Sequence, residues 1–277
     1  MGRPLFSIVT ITFRNLDGLR ATVDSVQSQS LRDFEHIVID GGSTDGSVDW
    51  LAAHFDGTWV SEPDEGRYDA MNKGARMATG EYLWFMNAGD LFGDSNVLER
   101  VAAAIEREGR PDWLYGLARL VGPDKRLIGV LGVVPFSMFN FAILQRPLPH
   151  QASAFRRDFF WHLGGYEGEM EVAFDQLFMV RAANSSPPLA IADFLCDFDA
   201  AGVSADRPWW MNQRDAYEIL RRCDVSVTPW RTLDKLLALG YTLLRLFGRF
   251  LRSPLRRVNA AAADTSATPA RDEEAAS

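Results

Sequence analysis

Two cysteines in 277 residues, Cys196 and Cys223, are too few and too far apart for a disulfide framework or a cysteine-rich zinc site. Both read as small buried residues in a reducing compartment. The glycine fingerprint of a dinucleotide-binding fold is missing too, since Arg14-Asn15-Leu16-Asp17-Gly18, after the first strand-like run, holds a single glycine. No Walker phosphate-binding motif occurs either. These absences count against a nicotinamide-dependent oxidoreductase and a P-loop nucleotide hydrolase. No signal peptide is expected, because Leu5 to Phe13 is already a β-branched strand with no small-residue cleavage site after it. The folded part is therefore expected in the cytoplasm. In the apolar carboxyl-terminal region the longest uncharged run, Leu236 to Leu244, is nine residues, well short of the roughly 20 needed to span a bilayer.

Hydrophobic residues make up 47% of the chain, enough for a sizeable core and too many for global disorder. The length suits one large α/β domain, or one domain with an appendage. The net charge of -8 is unevenly spread. Residues 231–257 carry seven basic side chains (Arg231, Lys235, Arg245, Arg249, Arg252, Arg256, Arg257) against Asp234 alone, a local +6 that leaves -14 elsewhere. That acidic remainder argues against a nucleic-acid-binding protein.

Strand and helix patterns alternate from the start. Phe6 to Phe13 and Phe34 to Asp40 read as strands, and between them Leu19, Val23 and Val26 mark one face of a helix. Asp40-Gly41-Gly42-Ser43-Thr44-Asp45 predicts a tight turn and the cap of a second helix. Thr58 to Ser61, Tyr68 to Met77 and Tyr82 to Met86 continue as strand, helix and buried strand. This spacing predicts a parallel sheet of βαβ units. A helix over Ser95 to Glu106 follows, then a hairpin of Trp113 to Val121 and Arg126 to Val134 about Gly122-Pro123-Asp124-Lys125. A last strand is expected over Leu189 to Leu195.

The strand Tyr82 to Met86 ends in Asn87-Ala88-Gly89-Asp90. Ligands of open α/β sheets bind beyond the carboxyl ends of strands. Asp90 is thus either a metal or ligand contact or the cap of the helix that begins near Asp94. Together with Glu62-Pro63-Asp64-Glu65-Gly66-Arg67-Tyr68-Asp69-Ala70-Met71-Asn72-Lys73-Gly74, this stretch resembles the signature of family 2 glycosyltransferases, inverting nucleotide-sugar enzymes of the GT-A fold. The resemblance covers residues 5 to about 205. It implies a mostly parallel central sheet flanked by helices, with an Asp-x-Asp-like metal motif here reading Asn87 to Asp90. Only Asp90 brings a charged ligand, which suits Mg²⁺ or Mn²⁺ bridged to a diphosphate.

By the same resemblance, Thr10, Thr12, Asp40, Asp64 and Arg67 contact the nucleotide of a UDP-, GDP- or dTDP-sugar. Asp40 otherwise reads as a turn residue bonding its own backbone, and Arg67 as an exposed charge at a helix start. Pro149-His150-Gln151-Ala152 resembles a His-Gln segment of this branch, placing His150 and Gln151 at the diphosphate or the acceptor. A structural histidine is the plainer reading. Ser204, in Gly202-Val203-Ser204, is implied as a further acceptor contact.

Val172 to Arg181 predicts a helix start with one carboxylate, Asp175, among Phe174, Leu177 and Phe178. Many family members have a second acidic residue two places on; here it is Leu177. Asp175 is the candidate base, with Glu169 and Glu171 close in sequence and a dipole-favoured cap Asp as the plainer reading. Inverting transfer through an oxocarbenium-like transition state needs one base to take the acceptor proton. No Gln-x-x-Arg-Trp sequence occurs; processive members of the family carry one, so the resemblance implies addition of a single sugar.

Asp206 to Arg222 and Thr232 to Arg257 predict two further helices. The second has Leu236, Leu239, Leu243, Leu246, Phe247 and Phe250 beside a basic stripe of Arg245, Arg249, Arg252 and Arg256. Such a helix lies in a membrane interface, or packs its apolar face on the catalytic domain or a second subunit. The expected layout is a catalytic domain over 1–205, membrane-associating helices over 206–258 and a disordered tail over 259–277. The expected activity is metal-assisted sugar transfer to a lipid-linked or cell-envelope glycan, peripheral on the inner membrane face. A nucleotidyltransferase and a catalytically inactive sugar- or membrane-binding subunit are the rivals.

Overall fold

The computed structural model describes residues 2–122, 126–166, 173–199 and 209–247. Among these residues nine strands form one sheet in the order β3-β2-β1-β4-β8-β6-β9-β5, with β7 paired to β6 off this path. The first half follows the predicted alternation: β1 (Phe6–Thr12), α1 (Leu16–Gln27), β2 (Phe34–Asp40), α2 (Ser47–His54), β3 (Thr58–Ser61), α3 (Arg67–Met77) and β4 (Tyr82–Asn87). β1 is parallel to both β2 and β4, and β2 is parallel to β3. Registers pair Thr12 with Asp40 and Ile11 with Asn87, so the ends of these three strands lie side by side. Ile8, Val9, Ile37, Val38 and Phe85 are fully buried or nearly so, as a parallel sheet covered on both faces requires.

Beyond β4 the chain reverses direction. β5 (Leu91–Phe92), α4 (Val97–Arg107), β6 (Trp113–Val121), β7 (Leu127–Leu131), α5 (Met138–Ala142), a 3₁₀ turn (His150–Ala152), β8 (Ser153–Arg156), α6 (Arg157–His162), α7 (Phe174–Ser185), β9 (Leu189–Asp199) and α8 (Trp209–Arg222) follow. β8 is antiparallel to both neighbours, β4 and β6, whereas β9 is parallel to β6. β5 and β7 are also antiparallel to their partners. Six strands thus point one way and three the other.

The predicted hairpin is present as β6 and β7. Its second strand stops at Leu131 because Gly132, at φ 92°, turns the chain aside. The last strand runs on past Leu195 to Asp199. The expected cap of α2 is displaced to Gly46, although Asp45 accepts from Ser47 N at 3.2 Å in the first turn.

Residues 231–247 are helical and form α9. Asp234, Ala238 and Thr242, four apart, are its buried positions, and Gln145 Nε2 donates to Thr242 Oγ1 at 3.0 Å. The apolar residues point the other way: Leu236 is 65% exposed, Leu244 71% and Phe247 60%, with Leu237, Leu239 and Leu243 also exposed. The apolar face is therefore not packed on the domain. Among the described residues no helix is long and apolar enough to cross a membrane. Ser204, Glu169, Glu171, residues 248–257 and the tail 259–277 lie outside the described residues.

Candidate active site

The carboxyl ends of β1, β2 and β4 build one edge. Asp40 closes β2 with no exposure, and its Oδ2 accepts from Gly42 N at 3.1 Å, Ser43 N at 2.8 Å and Ser61 Oγ at 2.6 Å. The turn reading of Asp40 is thus true of one oxygen. Its Oδ1, equally buried, has no partner among the described residues, and the same holds for Thr12 Oγ1 and Asn87 Oδ1. Buried polar atoms are ordinarily satisfied, so these three, on adjacent strand ends, lack the partner that such atoms usually have.

The acidic turn before α3 folds over this edge. Asp64 Oδ1 accepts from Gly66 N at 2.9 Å, and a Cβ on Gly41 would meet Asp64 Oδ2 at 2.7 Å and the Phe13 ring at 3.2 Å. Asp64 and Asp40 are therefore neighbours across Gly41. Phe13, exposed at the end of β1, was not anticipated; its position directly after an alternating strand was the available signal. Arg67 is half-buried at the start of α3, 5.9 Å from the Tyr68 ring. Thr10 stands apart, fully buried one side-chain step behind Thr12 with its hydroxyl 2.9 Å from His36 Nε2.

Asp90 is 4% exposed in the turn after β4, where Asp90 N donates to Asn87 O at 2.9 Å. α1 fixes this turn: Thr22 Oγ1 donates to Asp90 O at 2.9 Å and accepts from Gly89 N at 2.9 Å, and Asn15 Nδ2 donates to Ala88 O at 3.0 Å. Asp90 does not cap α4, whose N-cap is Asn96. No group of three or more His, Cys, Asp or Glu side chains able to hold a metal exists among the described residues. The Asp90 carboxylate and the Asn87 amide oxygen are the groups that would hold a hard cation at this turn, hard cations taking oxygen ligands.

A second cluster forms about Asp175 in the first turn of α7. Asp175 Oδ1 accepts from Tyr68 Oη at 2.9 Å, while Oδ2 accepts from Gln176 Nε2 at 3.0 Å and lies 3.1 Å from His150 Nδ1. The residue capping α7 is Ala173, so Asp175 serves side chains rather than the helix end. Burial pushes its carboxyl pKa up, but the bond and charge of His150 and the bonds from Gln176 and Tyr68 outweigh it, and the net shift is downward. Burial and the Asp175 charge push the Tyr68 phenol upward, keeping it a donor.

His150, from the 3₁₀ turn, is buried, and its Nε2 has no partner among the described residues. Gln151 is buried beside it, with its carbonyl accepting from Trp84 Nε1 at 2.7 Å. Tyr68 and Gln176 are the members of this cluster that the sequence reading missed. Their signal was adjacency alone, Tyr68 following Arg67 and Gln176 following Asp175.

The mixed sheet with its flanking helices is the GT-A fold. TarS from S. aureus, residues 1–349 in complex with UDP-GlcNAc, superposes with a TM-score of 0.61 at 17% identity, over 86% of this chain and 71% of that one. Mannosyltransferase PcManGT from Pyrobaculum calidifontis, in complex with GDP-Man and Mn²⁺, gives 0.59 at 18% identity over 95% and 85%.

The chain belongs to glycosyl transferase family 2, whose model matches residues 7–163. A glycosyltransferase of Mycobacterium tuberculosis is 43% identical over 209 residues, 74% of this chain and 78% of its own. A PGL/p-HBAD biosynthesis glycosyltransferase of Mycobacterium bovis is 33% identical over 194 residues, 68% and 73%. The protein is thus a family 2 glycosyltransferase.

Proposed function

We propose that the protein transfers one sugar, with inversion, from a nucleoside-diphosphate donor to a hydroxyl of a lipid-linked or cell-envelope glycan. The observation that supports this reading is the Asp175 carboxylate, oriented by Tyr68, Gln176 and His150. Asp40, Thr12, Asp64 and Arg67 receive the base and ribose. Thr10 supports the edge from behind. His150, Gln151 and Ser204 face the diphosphate or the acceptor.

In the reaction, the acceptor hydroxyl loses its proton to Asp175 as its oxygen attacks the anomeric carbon, and the nucleoside diphosphate leaves from the opposite face. Mg²⁺ or Mn²⁺ held by Asp90, with help from Asn87, would offset the charge on the leaving diphosphate. The neighbours solved with UDP-GlcNAc and with GDP-Man and Mn²⁺ support such a donor and such a cation.

We assign residues 1–205 to catalysis and 206–258 to attachment at the inner membrane face. The outward apolar face of α9 supports attachment to a bilayer or a second subunit over packing on the domain. The part of the 33%-identical relatives in PGL/p-HBAD biosynthesis supports a glycoconjugate acceptor.

Calorimetric titration with UDP, GDP and dTDP, each with and without Mn²⁺, tests the donor site. Micromolar, metal-dependent binding of one nucleotide is expected. A folded protein that binds none of the three would overturn the reading in favour of a catalytically inactive subunit. In a turnover assay the released product is expected to be nucleoside diphosphate; pyrophosphate would identify a nucleotidyltransferase.

A further inference from the structure

Asn72 is a residue that α3 has no use for on its own account. It is buried in the second turn of that helix, where asparagine is disfavoured because its amide competes for backbone partners. Here the amide leaves α3 altogether. Asn72 Nδ2 donates to Tyr166 O at 2.8 Å, and Asn72 Oδ1 accepts from Tyr166 N at 3.1 Å. One side chain thus satisfies both backbone groups of a residue 94 positions away, as a paired strand would. The turn closes tightly on it, since a Cβ on Gly165 would meet Asn72 Oδ1 at 3.1 Å.

Tyr166 is itself buried, and its ring packs among those of Phe85, Phe160 and Phe178, with centroids 5.2, 5.2 and 5.4 Å away. The same ring lies 5.5 Å from that of Tyr68, which Phe174 meets edge-on at 5.1 Å and 83°. Tyr68 stands one turn before Asn72 on α3, so the two share a face. Its hydroxyl donates to Asp175 Oδ1 at 2.9 Å. The Tyr166 hydroxyl, by contrast, has no partner among the described residues. What Tyr166 brings to this group is its ring.

A phenol side chain turns about two bonds, and the second of these is only broadly restrained by its own torsional preference. Where the oxygen points is therefore decided by what packs against the ring. Tyr166, fixed at its backbone by Asn72, is one of the two rings that settle this for Tyr68.

We propose that Asn72 is a positioning residue for sugar transfer: by pinning the Tyr166 backbone it seats the Tyr166 ring against Tyr68, and so keeps the Tyr68 hydroxyl aimed at the Asp175 carboxylate. This rests on the reading of Asp175 as the base, and the experiment separates the two.

The test is a double-mutant cycle on the full chain, in which kcat, the donor KM and the acid limb of the pH profile are measured for Asn72→Leu, Tyr68→Phe and the two combined. Asn72→Leu removes both bonds at similar volume. Its kcat is expected to fall about three- to tenfold, the upper bound being the loss of the Tyr68 donor outright. The donor KM is expected to stay within about twofold of wild type, and the acid limb to move to higher pH, as in Tyr68→Phe. With the Tyr68 hydroxyl already gone there is nothing left to aim, so in that background Asn72→Leu is expected to cost less than about a further twofold. Tyr166→Phe keeps the ring and is expected to keep kcat within about twofold. Val101→Ala, fully buried in α4 and in the other large core cluster, lowers stability without touching this group and is expected to leave the acid limb in place. Asn72→Ser, which leaves space for a water on the freed Tyr166 groups, carries the same expectations where Asn72→Leu does not fold.

Losses that multiply in the double variant, an acid limb that stays in place in Asn72→Leu, or a loss in Tyr166→Phe or Val101→Ala as large as in Asn72→Leu would overturn the positioning role while leaving Asp175 as the base. Asp175→Asn with more than about a tenth of the wild-type rate would remove the base, and the role of Asn72 with it.

Discussion

Asp175 is held by donors from three parts of the chain, Tyr68 in α3, His150 in the 3₁₀ turn and Gln176 beside it, and each favours its ionised form. Asp175→Asn preserves shape and removes the base, so transfer is expected to fall roughly 10²- to 10⁴-fold with donor binding intact. A variant retaining more than a tenth of the rate would point to another base. Tyr68→Phe removes one donor to a charge, a contact of about 1.5–3 kcal/mol, and about a tenfold loss in kcat is expected. The sign for pH follows from the downward shift of Asp175. Activity that needs the carboxylate persists on acidification to below the ordinary carboxyl range, and losing Tyr68 moves that acid limb to higher pH. A limb that stays in place in Tyr68→Phe would contradict the positioning role. Asp90→Ala is expected to abolish the Mn²⁺-dependent part of donor binding; undiminished affinity in Mn²⁺ would rule out Asp90 as the metal contact.

Among the elements, α3 rests most closely on the sheet because its middle carries Gly74. A Cβ there would meet Val9 Cγ1 at 2.3 Å, and Val9 lies fully buried in β1. Gly74→Ala is expected to lower stability by about 1–3 kcal/mol, read as the urea midpoint, because a β-branched neighbour in a central strand has nowhere to turn. An unchanged midpoint would mean that α3 shifts freely. The elements up to β4 were legible because β1, β2 and β4 are runs of Val, Ile and aromatic residues broken by glycine-rich turns. β5, β8, α5 and α6 were not. Each is six residues or fewer, too short for a period, and each exists because a neighbour pairs or packs with it, as Leu83 in β4 pairs with Phe155 in β8. The orientation of α9 was equally hidden: Asp234, Ala238 and Thr242 form an unremarkable stripe in the sequence, and only contact with α5 and α8 shows that this stripe is the buried one.

For the whole molecule, the acid side of stability has an identifiable contributor in His36. It is buried against Phe55, with Nε2 on Thr10, and burial pushes its pKa from 6.5 down to about 3. Between those values the unfolded chain binds a proton that the folded one excludes, so stability is full above pH 6.5 and falls as the pH drops toward 3. The slope is about 1.4 kcal/mol per pH unit. His36→Gln is expected to flatten that part of the curve in urea titrations at successive pH values; an identical slope would assign the loss to other groups. At this scale the candidate site was half legible. Asp40, Asp64 and Asp90 announce themselves by following strands, whereas the Tyr68–Asp175 contact joins positions that no local pattern connects.

Those two residues stand on opposite sides of the reversal between β4 and β8, and the family match itself ends at residue 163, before α7 begins. On the proposed reading, the strand edge that takes up the donor is encoded in the first 90 residues and the group that spends it arrives with residue 175. Yet both large cores join the two parts, Val9, Ile37 and Phe85 with Phe155 and Phe178, and Phe6 and Trp84 with Leu114 and Leu195, so a gene interrupted between them would encode neither a donor site nor an enzyme.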